Sequence, residues 1–257
     1  MLIWGYILTA HQSLNNKIVV ITGAGSGLGR ELAKAFCAAG AVVVGVGRTI
    51  SKVEETAALI TEGSFEPYAL DVSDFLQVKD CFDSVVKKHG RIDILFNNAA
   101  VYPKINFLEE TAEQWGSAVA INLSGVANCS KVVLPGMINQ DYGRIFNVSS
   151  WAHLGPIANS AVYSCTKGAV HSLTKAIAAD LAHLNKNIEV HEWIPGHLNT
   201  QMSDYTGIEP SLSASWAVEI ALKPDSPSKS CIYEQNWEWK PPKSLKQKIK
   251  AKLFFWR

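Results

Sequence analysis

The feature that most restricts how this chain can fold is an alternation. Short, nearly continuous apolar runs of strand length are followed, again and again, by stretches of helix length. The runs lie at Lys17–Ile21, Ala41–Val46, Glu66–Leu70, Ile92–Phe96, Gly143–Val148, Ile188–Trp193 and, more briefly, Cys231–Tyr233. A strand wetted on one face alternates apolar and polar residues, whereas a strand covered on both faces has no polar side. Cores such as IVVI and VVV therefore predict buried strands of a parallel sheet. Helices are predicted over Leu28–Ala39, Ser51–Thr61, Asp74–His89, Thr111–Asn139, Ser160–Leu184 and Ser213–Leu222. Strict alternation of the two, with right-handed crossovers, gives an α/β fold: a doubly wound parallel sheet of about seven strands flanked by helices.

The 257 residues fit one domain, and an apolar share of 47% is ample for its core. We divide the chain into an N-terminal extension (1–14), a body (15–239) and a basic C-terminal tail (240–257). The tail carries seven basic and no acidic residues, which leaves 17 basic against 23 acidic groups in the rest. An acidic body argues against nucleic-acid binding. The five cysteines are scattered and form no CxxC pair, so neither a disulfide framework nor a metal site is expected, and a reducing, cytoplasmic setting fits. The start, MLIWGYILTA, is apolar but has no basic leader and is short of the roughly 20 residues a membrane span needs. It is read as a packing extension.

Directly after the first strand stands Thr22-Gly23-Ala24-Gly25-Ser26-Gly27-Leu28-Gly29, and a helix follows at once. Glycines let the chain turn tightly and let backbone N–H groups approach a pyrophosphate, while the helix N-terminus presents its positive end. Gly23, Ser26, Gly27, Leu28 and Gly29 are thus candidate contacts of a dinucleotide. The second strand ends Val46-Gly47-Arg48-Thr49. A carboxylate at position 47 would bond the adenosine ribose hydroxyls of NAD; glycine followed by a guanidinium favours a 2′-phosphate, hence NADP(H).

Tyr163 and Lys167 are four residues apart on a predicted helix and share a face. A free phenol titrates near pH 10, too high for acid–base work near neutrality, and a neighbouring ammonium favours its phenolate. Ser150 ends the strand GRIFNVSS, where ligands of open α/β sheets bind, and can donate to a carbonyl oxygen. Ser149 competes with it on chemistry alone. Asn122 lies within the long predicted helix.

Over roughly residues 15–222 this pattern resembles the short-chain dehydrogenase/reductase family. The resemblance rests on TGAGSGLG at 22–29, Asp71-Val72, Asn97-Asn98-Ala99, Asn122, Ser150, Tyr163, Lys167, Pro195-Gly196 and Thr200. Its usual Ser–Tyr spacing of thirteen selects Ser150 over Ser149. It implies a Rossmann-type fold and an enzyme that moves a hydride between NADP(H), or less readily NAD(H), and a carbonyl or alcohol carbon of a small or medium substrate. Tyr163 would be the acid–base group, and Lys167 would lower its pKa and hold the nicotinamide ribose. Ser150 would orient the carbonyl, and Asn122 would position a water leading to Lys167. Asp71 and Val72 would border the adenine, and Asn98 and Ala99 would lie beside the adenosine end of the cofactor. Pro195, Gly196 and Thr200 would form the nicotinamide-side loop. The competing reading is a non-catalytic NADP(H)-binding scaffold or redox sensor.

Departures from the pattern carry expectations of their own. Alanine at position 100, where the family has glycine, would crowd the cofactor turn. About a dozen residues separate Thr200 from the helix at Ser213, too few for the usual substrate lid, so an open pocket is expected. SCIYEQNWEWKPP replaces a glycine-rich ending that often serves a subunit interface, which leaves a homodimer or homotetramer open. His153 is expected in a solvent-facing loop, Cys165 as a small filler, and Trp193 and His197 beside the pocket or in the core. In the tail, Leu245, Ile249 and Leu253 share a helix face and precede Phe254-Phe255-Trp256. Such a segment docks on the body or a partner, or lies weakly on an anionic membrane.

Overall fold

The computed structural model describes residues 13–224 and 229–240. Its strands are β1 (Ile18–Thr22), β2 (Val42–Gly47), β3 (Ser64–Ala69), β4 (Ile94–Asn97), β5 (Gly143–Val148), β6 (Ile188–Ile194), β7 (Ile232–Glu234) and β8 (Trp237–Trp239). They form one sheet in the order β3-β2-β1-β4-β5-β6-β7-β8, parallel throughout except for the antiparallel β7–β8 hairpin. The order runs outward from β1 in both directions, so the chain reverses between β1 and β4 and opens a crevice at the carboxyl ends of the strands. The expected seven strands become eight because WEW at 237–239 folds back through Gln235 (φ 55°) and pairs with β7.

The helices are α1 (Gly27–Ala38), α2 (Ile50–Ala58), α3 (Phe75–His89), α4 (Ala112–Val119), α5 (Gly125–Asn139), α6 (Ala161–Leu181) and α7 (Pro210–Ala221). The stretch Thr111–Asn139, predicted as one helix, is divided by a π-helical turn at Ala120–Ser124, in which Gly125 N–H bonds back five residues to the Ala120 carbonyl. Periodicity cannot reveal this, because one extra residue in a turn leaves the apolar content unchanged. Elsewhere the ends follow local chemistry. Asp74 accepts from the backbone N–H groups of Leu76 and Gln77 at 2.9 and 3.1 Å to start α3, and Gly90 ends it in the left-handed region.

Two cores lie on the two faces of the sheet. Val19, Ile21, Ile94, Phe96 and Trp193 pack against Leu32 and Phe36 of α1 and Ala217 and Ile220 of α7. Val20, Leu95, Ile145 and Val190 pack against Val78 and Phe82 of α3 and Cys129, Val133 and Met137 of α5. Consecutive strand residues thus enter opposite cores, which is why the strands lack a polar side. Residues 1–12 of the N-terminal extension, residues 225–228 and residues 241–257 of the basic tail lie outside the described residues, and with them the packing and membrane readings of the two terminal segments.

Candidate active site

A cleft of about 2490 Å³ opens along the carboxyl ends of the strands, and the glycine turn, Arg48, Ser150, Tyr163, Lys167 and Thr200 all line it. Its floor at one end is the turn between β1 and α1. Gly23 and Gly27 have φ of +69° and +51°, which glycine adopts without a Cβ penalty. At Gly29 a Cβ would stand 2.1 Å from the Gly23 carbonyl oxygen and 2.7 Å from the Asn98 amide nitrogen. That turn is held from outside. Asn98 Nδ2 donates to the Thr22 carbonyl at 2.8 Å, and the backbone N–H groups of Asn98 and Ala99 both donate to Thr22 Oγ1 at 2.9 Å. Ser26 stands at the N-cap of α1 with no capping bond from its side chain, so the first-turn N–H groups remain available to an anion. A bare backbone cradle at a helix N-terminus fits the pyrophosphate of a dinucleotide.

At the end of β2, Gly47 has no room for a side chain, since a Cβ would lie 2.9 Å from Val53 Cγ2. Arg48 is exposed, lines the cleft beside Lys52, and has no ion pair among the described residues. At the end of β3, Asp71 Oδ1 accepts from Ser73 N–H (2.9 Å) and Oγ–H (2.7 Å), and Val72 packs on Gly125, where a Cβ would meet Val72 Cγ2 at 2.6 Å. Ala100 also lines the cleft.

The other end of the cleft holds the titratable groups. Ser150 leaves β5 and caps a 3-10 turn, its Oγ accepting from Ala152 N–H at 3.1 Å, and its hydroxyl lies near enough to the Tyr163 phenol to favour the phenolate. Ser149 Oγ is buried with no hydrogen-bond partner among the described residues, and Ser149 lines the same cleft. Tyr163 is half-buried, and its ring stacks on Tyr102 at 4.6 Å and 24°. Lys167 is buried, donates from Nζ to the Val148 carbonyl at 2.7 Å, and lies 5.6 Å from the Tyr163 ring centroid.

Burial dominates both ionisations. It pushes the Tyr163 phenol above its ordinary value, with the Ser150 hydrogen bond pulling the other way and Tyr102 adding to the rise. It pushes Lys167 down from 10.5 to about 8, against the Glu192 carboxylate, which raises it. The expected lowering of Tyr163 by Lys167 does not figure in this balance: burial, which makes a phenolate costly to take out of water, decides the direction, and Ser150 is what opposes it.

Asn122 sits in the π turn, fully buried. Its amide donates to the Val101 carbonyl (2.9 Å) and Thr166 Oγ1 (3.2 Å), and its carbonyl accepts from Val101 N–H (2.8 Å). The chain after β6 passes Pro195 and Gly196 (φ +99°) and brings Thr200 beside Gly27, so this loop closes over the phosphate turn. The following short segment is tied to itself: Asn199 N–H bonds the Ile208 carbonyl at 2.7 Å, and Ile208 N–H bonds the His197 carbonyl at 2.9 Å. His153 is half-buried rather than a solvent-facing loop residue, with Nδ1 2.8 Å from the Ser150 carbonyl oxygen. Cys165 is exposed, not a packed filler, and Trp193 is wholly in the core, its Nε1–H donating to the Gln235 carbonyl at 2.9 Å.

Sequence reasoning missed Tyr102, Trp151, Glu234 and Gln235, all of which line the cleft. Trp151 Nε1–H donates to Glu234 at 3.0 Å and packs on Trp239 at 5.1 Å, so the β7–β8 hairpin forms part of the wall. The adjacency of Trp151 to Ser150 was the one available signal.

The family description "short chain dehydrogenase" matches residues 17–209. Meso-2,3-butanediol dehydrogenase of Serratia marcescens is 36% identical over 190 residues, 74% of either chain. The 3-oxoacyl-(acyl-carrier-protein) reductase of Thermotoga maritima is 36% identical over 196 residues, 74% of this chain and 78% of its own. Among solved structures, a metagenomic short-chain oxidoreductase in complex with NADP superposes with a TM-score of 0.76 at 27% identity, over 87% of this chain and 99% of that one. NAD+-bound xylitol dehydrogenase gives 0.68 at 32% identity, over 72% of each chain.

Proposed function

The chain belongs to the short-chain dehydrogenase family, and on that premise we propose that it is an NADP(H)-dependent oxidoreductase that interconverts a carbonyl and an alcohol with Tyr163 as acid–base group. The observation that carries this reading is convergence: Ser150, Tyr163 and Lys167 line the same cleft as the glycine turn. The turn from Gly23 to Gly29, with Ser26, Gly27 and Leu28 at the start of α1, would hold the pyrophosphate. Arg48 would pair with a 2′-phosphate, Asp71, Val72, Asn98 and Ala99 would border the adenosine, and Pro195, Gly196 and Thr200 would close the nicotinamide side. When bound, the nicotinamide supplies the two-electron donor or acceptor.

The residues' own work is proton handling and orientation. In reduction, the phenol of Tyr163 gives its proton to the substrate oxygen; in oxidation the phenolate takes one. With substrate in place the Ser150 hydroxyl turns its single proton to the same oxygen, so charge developing there is stabilised by two fixed donors. Lys167, one turn along, favours the phenolate by its charge. Asn122 fixes the wide turn against Val101 and Thr166, which places the helix carrying Tyr163. Relatives hold NADP or NAD+, so the coenzyme assignment rests on Arg48 and Gly47.

The substrate side is walled by Tyr102, Trp151, Leu154, Ile157, Met202 and Tyr205, while Lys104 is paired with Asp204 at 2.6 Å. An uncharged, largely apolar carbonyl suits that wall. We also propose self-association through the apolar stretch Ala112–Asn139, of which less than half is buried; light scattering that gives a monomer would remove it.

The assay is a panel of ketones, aldehydes and alcohols with NADPH or NADP+, run on the wild type and Tyr163→Phe. Turnover is expected in the wild type and lost in the variant, with NADPH binding within a few-fold of the wild type. Turnover retained by Tyr163→Phe would remove the phenol from its role, and NADPH binding without turnover of any substrate would favour a scaffold.

A further inference from the structure

Behind Lys167, on the side away from the cleft, the sheet buries a carboxylate. Glu192 on β6 is 1% exposed, in a strand that is otherwise walled by helices and core. Its Oε2 lies 2.5 Å from Nδ1 of His171, and its Oε1 is buried with no hydrogen-bond partner among the described residues. An isolated buried carboxylate is costly, and one oxygen left unpaired keeps that cost only partly offset. Such a group is retained where its charge serves a neighbour.

The neighbour is set by helix geometry. Tyr163, Lys167 and His171 follow one another at intervals of four on α6, so they form a single ridge. His171 at the end of that ridge contacts Glu192 through Nδ1, and its ring stacks on His153 at 5.2 Å and 26°. His153 in turn packs over Gly168, where a Cβ would stand 3.2 Å from His153 Cβ, and its Nδ1 contacts the Ser150 carbonyl. One connected set thus runs from the carboxylate under Lys167 to the backbone of Ser150.

We infer that Glu192, anchored by His171, is a positioning residue: it is the counter-charge that seats the buried Lys167 ammonium beneath Tyr163. The inference rests on the assignment of Lys167 to the reaction. The groups facing Lys167 are few. On α6 they are the Tyr163 phenol and the His171 ring, on β5 the Val148 carbonyl that takes the Nζ hydrogen bond, and on β6 the Glu192 carboxylate; the amide of Asn122 is neutral and committed to Val101 and Thr166. The carboxylate is the group whose charge opposes desolvation of the ammonium. Without it the ammonium gives up its proton at lower pH, and the phenol loses its cationic neighbour nearer neutrality.

The coupling itself is read without a substrate. Lysine labelled at Cε is incorporated, Lys167→Met identifies the Lys167 resonance, and its titration midpoint is read by NMR in the full chain. Glu192→Gln keeps the volume and an acceptor for His171 but removes the charge, and the midpoint is expected to fall by about one pH unit, as for loss of a nearby opposite charge. Glu192→Asp should recover part of that shift. His171→Gln leaves the charge but frees it from its anchor, and a midpoint moved in either direction is expected. A midpoint equal to wild type in Glu192→Gln overturns the proposal; an unchanged midpoint in His171→Gln alone removes the anchor from it. If all three shifts appear while Lys167→Met retains full turnover, the charge coupling stands and the role of Lys167 in the reaction falls.

Discussion

Replacing Lys167 by methionine should change how stability depends on pH, by an amount the burial of the ammonium sets. The folded-state pKa of about 8 lies below the ordinary 10.5, because desolvation disfavours the charge. Between those values the unfolded chain binds more protons than the folded one, so stability rises with pH across that window. Below it the charged lysine costs the fold about 3.5 kcal/mol, two and a half pKa units at about 1.4 kcal/mol each. Between about pH 7.5 and about pH 9.5, linkage returns about 2 kcal/mol of that cost to the wild type. Methionine has nothing to titrate, and the lost bond to the Val148 carbonyl is a pH-independent term, so the difference between the two proteins isolates the lysine. Urea unfolding of both at the two pH values measures it. The wild type should gain about 2 kcal/mol relative to Lys167→Met as the pH rises. A gap constant within about 0.5 kcal/mol would mean that the folded state does not desolvate this ammonium, and the reasoning fails.

Arg48→Ala should weaken NADPH binding by about 1.5–3 kcal/mol, the range of a hydrogen bond to a charged group, and affect NADH little. Titration with both coenzymes checks this, and equal weakening of the two would overturn the 2′-phosphate assignment. Gly29→Ala drives a methyl to 2.1 Å from a backbone carbonyl, so the turn must shift; destabilisation of about 1–3 kcal/mol and loss of both NADPH and NADH binding are expected. Thermal melts beside the same titrations test it, and a variant that binds normally would show that the cradle is not the phosphate site.

Much of this was legible because it depends on local pattern. The glycine turn, β5 with its terminal serines and the Tyr163–Lys167 ridge are each coded within about eight residues, and the apolar runs name the strands. The rest depends on what lies across the sheet. Glu189, His191, Glu192 and Arg144 are all nearly fully buried, which β propensity alone would not predict. Arg144 reaches Glu189 at 3.3 Å and the Ala221 carbonyl at 2.6 Å, and His191 accepts from Cys231 N–H at 3.1 Å. These partners come from β5, α7 and the approach to β7, so no window of sequence contains the pairing. Tyr102 was passed over for the same reason: its role in the wall is created by stacking on a residue 61 positions later. The β8 strand escaped because three residues after a tight turn carry too little pattern to distinguish them from loop.

The wide turn at Ala120–Ser124 sets regularity against use. A helix running unbroken from α4 into α5 would restore the ordinary i to i−4 hydrogen-bond ladder through Ala120–Ser124. Deleting a single residue there, Ile121 for instance, would allow it. The deletion would also swing α4 by about 100° about the axis relative to α5, since each residue of an α-helix carries that rotation. Asn122 would then leave Val101, and the strand-end loop that carries Tyr102 onto Tyr163 would lose its clamp. Selection for a sturdier helix and selection for a working cleft therefore pull on this one residue in opposite directions, and a search for stabilised variants should find its gains there at the expense of turnover.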